Sequence, residues 1–172
     1  MDKELQLEAL EEFRDFVISH AKNNLKLKSS SGKLRDSFKA QVKVMPNSIR
    51  IFFEFEEYGW YQDKGVSGVR QKYNTPFSYK TKMPPPSKLD KWIVRRGLAP
   101  REKGKFTGRK TLQFLIARSI FYNGIKPSLW FTKPFENAVK LLPEEMIDAY
   151  GLEAEKMLDT IMKENMKNYG YK

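Results

Sequence analysis

The sequence contains no cysteine and a single histidine, and these two shortages exclude several kinds of chemistry. Without thiols the chain can form no disulfide, no cysteine nucleophile and no zinc–thiolate site, and it suits synthesis in a reducing cytoplasm. His20 is the one side chain whose ordinary pKa lies near neutrality, and it falls in a helical pattern without a second histidine to share a metal. We therefore expect no metal site and no cofactor.

Long apolar runs are also missing. No segment approaches the roughly 20 apolar residues that would span a bilayer. Residues 1–20 mix acidic side chains among the apolar positions, which is unlike a secretory signal peptide. The sequence therefore predicts no membrane association.

The patterns that mark common enzymes are absent as well. Nowhere does an acidic residue stand two positions before a lysine, the spacing that some nucleases use, and no Gly-Lys-Ser or Gly-Lys-Thr follows the glycines near residue 65. Four carboxylates gather near the end of the second predicted strand and could in principle bind a divalent cation: Glu54, Glu56, Glu57 and Asp63. Because Glu54 and Glu56 alternate with apolar residues, they are expected on the solvent face of that strand. We expect neither catalytic residues nor an enzyme.

Positive charge is concentrated in the middle of the chain. The net charge is +11, and residues 60–133 hold 17 Lys or Arg against 3 Asp or Glu, a net charge of +14. Such a segment suits a nucleic-acid surface, an acidic protein partner or a solubilised loop region, and charge alone does not choose among them.

The hydrophobic pattern predicts an α+β fold in a single domain, 1–172. Apolar residues at spacings of three and four predict an N-terminal helix. Two alternating runs then predict an antiparallel β-hairpin. If residues 47 and 48 form its loop, Val42 faces Phe53 and Ala40 faces Phe55. An irregular, basic, proline-rich insert is expected at about 66–110, and C-terminal helices follow, broken at Pro143 and extending over about 144–172.

A helix within "KTLQFLIARSIFYNG" is predicted to end at Gly124, with Leu112, Leu115, Ile116 and Ile120 facing inward. The segment "IKPSLWFTKPF" after it is expected to be extended and aromatic.

The stretch "EEYGWYQDKGVSG", residues 57–69, and the insert after it interleave aromatic and basic side chains. That mixture is typical of protein interfaces, is also used to grip single-stranded nucleic acid, and could partly complete the core. We predict a strand-to-loop turn here and take the following as candidate partner-binding residues: Tyr58, Trp60, Tyr61, Lys64, Gly65, Arg70, Lys72, Tyr73, Phe77, Tyr79, Lys80 and Lys82.

The order of several short motifs resembles the tail-completion, or head–tail joining, proteins of tailed bacteriophages. The motifs are "SGKLRDSF", "YGWYQDKGVSG" and "FLIARSIFYNGIKPSLWFTKPFENA", and the resemblance covers about residues 28–140. The matching positions are Gly32, Leu34, Arg35, Ser37, Tyr58, Tyr61, Lys64, Gly65, Gly124, Pro127, Phe131, Pro134 and Phe135. The basic insert, 70–110, departs from the commoner pattern.

The resemblance implies a virion structural protein, made in the host cytoplasm, that forms a ring at the neck between portal and tail. Its partners would be other copies of itself and neighbouring portal, adaptor or tail proteins, with possible non-specific DNA contact. Tyr61 and Lys64 are expected to contribute to assembly more than to folding. Residues 66–86 are expected to be mobile until they meet a partner. A nucleic-acid-binding protein that uses the basic middle region is the alternative hypothesis.

Overall fold

The chain forms an α+β fold with an N-terminal helix, an antiparallel hairpin and C-terminal helices. The computed structural model describes residues 3–28, 32–45, 48–99, 101–102, 105–150 and 153–168. Its elements are, in order, α1 Lys3–Lys28, α2 Lys33–Ser37, β1 Lys39–Met45, β2 Ser48–Glu54, α3 Tyr58–Lys64, a 3₁₀ turn Pro86–Leu89, α4 Asp90–Arg95, β3 Arg101–Glu102, β4 Lys105–Phe106, α5 Arg109–Asn123, α6 Thr132–Val139, α7 Glu144–Tyr150 and α8 Ala154–Asn168.

The chain divides into two compact units. One comprises Met1–Asp63 together with Leu129–Lys172 and is called the core unit here, and the other comprises Lys64–Ser128 and is called the basic unit. The predicted insert at 66–110 falls inside the basic unit. By sequence, the basic unit holds 16 Lys or Arg against 2 Asp or Glu, and the core unit holds 16 against 19. The net charges are therefore +14 and −3.

The hairpin pairs in a register different from the predicted one. Ala40 lies opposite Phe53 and Val42 opposite Ile51, so the predicted pairing is shifted by two residues. Ser48, predicted to lie in the hairpin loop, instead pairs with Met45 as part of the strand. The other predicted loop residue, 47, lies outside the described residues. Because side chains alternate with a period of two, a two-residue shift keeps each side chain on its predicted face. Phe53 is accordingly buried and Glu54 exposed.

The core unit is built around packed aromatic rings. Phe38 contacts Trp130 and Phe131 edge to face, with ring centroids 5.4 and 5.8 Å apart. Phe13 of α1 lies 5.3 Å from Phe135 of α6 in the same edge-to-face geometry, which aromatic quadrupoles favour. Helix α6 begins at Thr132, and the two aromatic rings just before it, at positions 130 and 131, are fully buried.

The basic unit has a much smaller apolar core. Among its described side chains, the buried apolar residues are Val66, Ile93 and Ala117. The 3₁₀ turn and α4 pack on α5, where Gln113 Nε2 donates to Asp90 Oδ1 over 2.6 Å. Helix α5 ends at Gly124, as predicted, with the backbone at φ 74°.

The first part of the segment expected to be a mobile arm is hydrogen-bonded within the basic unit. Val66 and Ile125 exchange two backbone hydrogen bonds, of 2.9 and 2.8 Å. Ser67 N donates to Phe77 O, and Tyr79 N donates to Ser67 O. A segment held by paired backbone groups does not need a partner to become ordered. The structure therefore places residues 66–79 within the basic unit and not in a free arm.

Hydrogen exchange of the isolated protein is expected to reflect these bonds. The amides of Val66, Ser67 and Tyr79 should exchange more slowly than that of Lys80, for which no backbone bond is found, because a bonded amide exchanges only when the structure opens. Residue-resolved exchange read by NMR, before any assembly, measures this difference. Equally fast exchange at all four amides would restore the arm interpretation.

Candidate assembly surface

The stretch predicted to be a strand-to-loop turn is a helix, α3. Gly59 N and Trp60 N donate to Glu56 O and Glu57 O, and the helix begins at Tyr58. Trp60 is 0% exposed, and its ring lies 5.0 Å from Phe55 and 5.7 Å from Phe131. The prediction that Trp60 binds a partner is therefore wrong, because a fully buried ring cannot contact one.

Asp63 is buried beneath the start of α6 and acts as its cap. Its Oδ1 accepts from the backbone N–H groups of Phe131 and Thr132 at 2.8 and 3.0 Å, and its Oδ2 accepts from the Thr132 hydroxyl. The carboxylate thus supplies acceptors for N–H groups that have no partner within the helix. The start of a helix also favours a negative charge, because the helix dipole is positive there. Asp63 therefore has a structural role at the start of α6.

Two glycines allow close backbone approach in the basic unit. Gly65 ends α3 at φ 74°, and a Cβ there would lie 2.5 Å from Ile125 O. At Gly124 a Cβ would collide with Val66 O and with Gly68 N. Gly65, predicted to bind a partner, is buried and instead lets two chain segments pair.

The aromatic residues of the predicted insert lie partly on their own unit. Tyr73, Phe77 and Tyr79 are half-buried, and the Tyr79 ring lies 6.4 Å from that of Phe121. Burial raises the pKa of the Tyr79 hydroxyl. Ser67 Oγ donates to Tyr73 O and accepts from Tyr73 N, so this loop is fixed at its start.

The basic residues of the insert differ in their environments. Arg70 stacks on Tyr122 with its guanidinium carbon 4.6 Å from the ring centre, and Arg118 lies 5.8 Å from the same ring. Lys72 Nζ donates to Gly68 O over 2.8 Å. Lys80 and Lys82 are exposed. The arginines and lysines of this unit thus present a positively charged surface in which Arg70 is positioned by an aromatic ring.

Around α3, three predicted partner-binding residues remain accessible. Tyr58, Tyr61 and Lys64 are half-buried, and Tyr61 Oη donates to Glu57 Oε1 over 3.4 Å. Burial, followed by the neighbouring Glu56 carboxylate, raises the pKa of the Tyr58 hydroxyl. Their contribution to assembly stays a prediction.

Sequence reasoning missed the exposed apolar residues of the basic unit. Leu115, predicted to face inward, is 49% exposed, and its neighbour Phe114 is 47% exposed. The other large apolar residues exposed in this unit are Val69, Trp92, Val94 and Leu98. A signal was present, since Lys110, Phe114 and Arg118 are spaced four apart and share one face of a helix.

The described residues include no group of three or more His, Asp or Glu side chains able to hold a metal ion, and none of their helices is long and apolar enough to cross a bilayer. What this surface offers chemically is cations, half-buried rings and exposed apolar side chains. Such features are typical of protein interfaces.

No protein-family model matches the chain, and comparison with curated proteins and with solved structures finds no match.

Proposed function

We propose that the chain is a virion structural protein of a tailed bacteriophage, a tail-completion or head–tail connector component that forms a ring at the neck. The observation that carries the assembly part of this proposal is the exposure pattern of the basic unit. Among its described residues this unit exposes six large apolar side chains and buries three apolar ones. A unit with so small a core is stabilised when neighbouring subunits cover its exposed apolar surface.

The specific role comes from the resemblance, and the positions that carry it lie where the fold needs them. Gly32 has φ 69° before α2, and Leu34 is buried. Gly65 and Gly124 allow the close backbone pairing of the basic unit, and Phe135 lies in the aromatic core. Motifs that specify a fold support shared architecture, and a subunit with two different surfaces can join head to tail into a closed ring.

Negative-stain electron microscopy of the purified protein tests the ring directly. We expect closed particles of uniform diameter at micromolar concentration and at an ionic strength near 0.1 M, where attraction between charged surfaces persists over about 10 Å. Particles that are absent at every concentration and salt condition would contradict the proposal.

The alternative is a nucleic-acid-binding protein, and the net charge of the basic unit favours it. Retention of any DNA at low salt is expected of such a unit whatever its function, because phosphate contacts are independent of sequence. Binding that selects one sequence or one nucleic-acid structure at about 0.15 M salt, by a chain that stays monomeric, would instead support this alternative.

A further inference from the structure

We propose that α5 of one copy docks on the first half of α1 of the next copy, and that this contact joins the subunits head to tail. This inference rests on the proposed ring and specifies which surfaces form it. Both helix faces are exposed in the single chain, and they are complementary in charge and in apolar character.

The α5 side of this contact is a basic stripe with an apolar centre. Lys110, Phe114 and Arg118 follow one another at intervals of four, and Leu115 lies beside them on the same face. All four side chains are exposed. The neighbouring face of α5, which carries Gln113, packs on the 3₁₀ turn and on α4, where Gln113 bonds Asp90. The stripe is therefore the face of α5 that this packing leaves uncovered.

The α1 side is an acidic stripe. Glu4, Glu8 and Glu12 also recur at intervals of four and are exposed, and the neighbouring Leu5 is 56% exposed. In residues 4–19 the one cation is Arg14, and it pairs with Glu11 and Asp15. No ion pair within the described residues involves the three stripe glutamates. Their charges are thus available to a partner.

Charge decides how two copies can meet. Two α5 stripes repel each other, and so do two α1 stripes, so a symmetric dimer through either helix is disfavoured. Pairing α5 of one copy with α1 of another brings opposite charges together and covers Phe114, Leu115 and Leu5. Contacts between two different surfaces propagate from copy to copy, and they close into a ring when the rotation permits.

The exposed pair at positions 114 and 115 favours a protein over nucleic acid as the occupant. Interfaces between proteins combine an apolar, aromatic centre with arginine, whereas DNA-binding surfaces are more polar. An acidic helix that carries its own exposed leucine matches such a surface in both respects.

Charge reversal tests the contact. One variant carries Glu8→Lys with Glu12→Lys, and a second carries Lys110→Glu with Arg118→Glu. Each alone should associate at least about tenfold more weakly than the wild type, because like charges then face each other. A 1:1 mixture should assemble again, since reversed α1 meets reversed α5 while the unaltered helices also match. Mass measurement of the mixture, with one variant isotopically labelled, should find both in equal numbers.

Matched controls reverse the same charges elsewhere, with Asp159→Lys and Glu164→Lys in α8 and Lys133→Glu and Lys140→Glu at the two ends of α6, all at exposed positions. These should assemble like the wild type. Circular dichroism confirms folding, and if the reversed α5 variant does not fold, Lys110→Gln with Arg118→Gln should still weaken assembly.

Four results would overturn the contact. If the reversed variants assemble like the wild type, or the mixture stays monomeric, the contact is wrong while a ring built on other surfaces survives. If the α5 variant loses only DNA binding, the stripe is a nucleic-acid surface. A wild-type chain that is monomeric in every condition removes both this contact and the ring.

Discussion

Replacing Asp63 by alanine is expected to lower the free energy of unfolding by about 3 kcal/mol or more. The buried carboxylate accepts hydrogen bonds from two backbone N–H groups and a hydroxyl at the start of α6, and the alanine variant leaves all three donors without this acceptor. Asp63→Asn should cost less, because the amide oxygen can keep the backbone bonds. Urea denaturation followed by circular dichroism measures both changes.

Asp159→Ala is the matched control, since it removes an exposed carboxylate from α8. A surface substitution of this kind should stay within about 0.5 kcal/mol of the wild type. If Asp63→Ala is as mild as Asp159→Ala, the capping role assigned to Asp63 is wrong.

Gly124→Ala is expected to destabilise the protein by about 3 kcal/mol or more, and Gly97→Ala by only about 1 kcal/mol. Both glycines have positive φ, 74° at Gly124 and 60° at Gly97. A Cβ at Gly97 meets nothing within 4 Å, whereas one at Gly124 collides with the backbone of residues 66–68. In addition, ψ of −166° places Gly124 in a region that is almost restricted to glycine.

Thermal unfolding of the two variants measures both costs. The difference between them combines the close approach of residues 66–68 to the end of α5 with the backbone conformation that Gly124 alone adopts. Equal losses of stability at the two positions would mean that this pairing contributes little.

Local patterns were enough to predict much of the fold. Spacings of three and four predicted α1, and alternation placed Phe53 inside and Glu54 outside. These features depend on neighbours a few residues apart in the chain. The hairpin register was misplaced by two, because such a shift leaves the buried and exposed faces unchanged and the pattern cannot detect it.

The candidate site depended more on contacts between distant parts of the chain. The side chains of Trp60 and Asp63 are buried by residues about 70 positions later in the chain. The Trp60 ring packs on Phe131, and the Asp63 carboxylate accepts hydrogen bonds from the backbone at the start of α6. Nothing near residue 60 indicates that pairing. Likewise, the exposure of Leu115 depends on which face of α5 packs on the 3₁₀ turn and α4, which periodicity alone did not decide.

The structure thus distinguishes residues that stabilise the fold from residues that are exposed and available to a partner. Trp60 and Gly65 hold the chain together from within, whereas Phe114 and Leu115 lie on an uncovered helix face. The proposed assembly role therefore depends on the second group. A substitution in the first group should reduce stability, and one in the second should reduce association.

Native mass spectrometry of the wild-type protein, over a range of concentrations and salt, tests directly whether the chain assembles with itself. We expect one discrete assembly at an integer multiple of 20.2 kDa, which dissociates towards the monomer as salt rises. A chain that remains a 20.2 kDa monomer at every concentration and at low salt would contradict it.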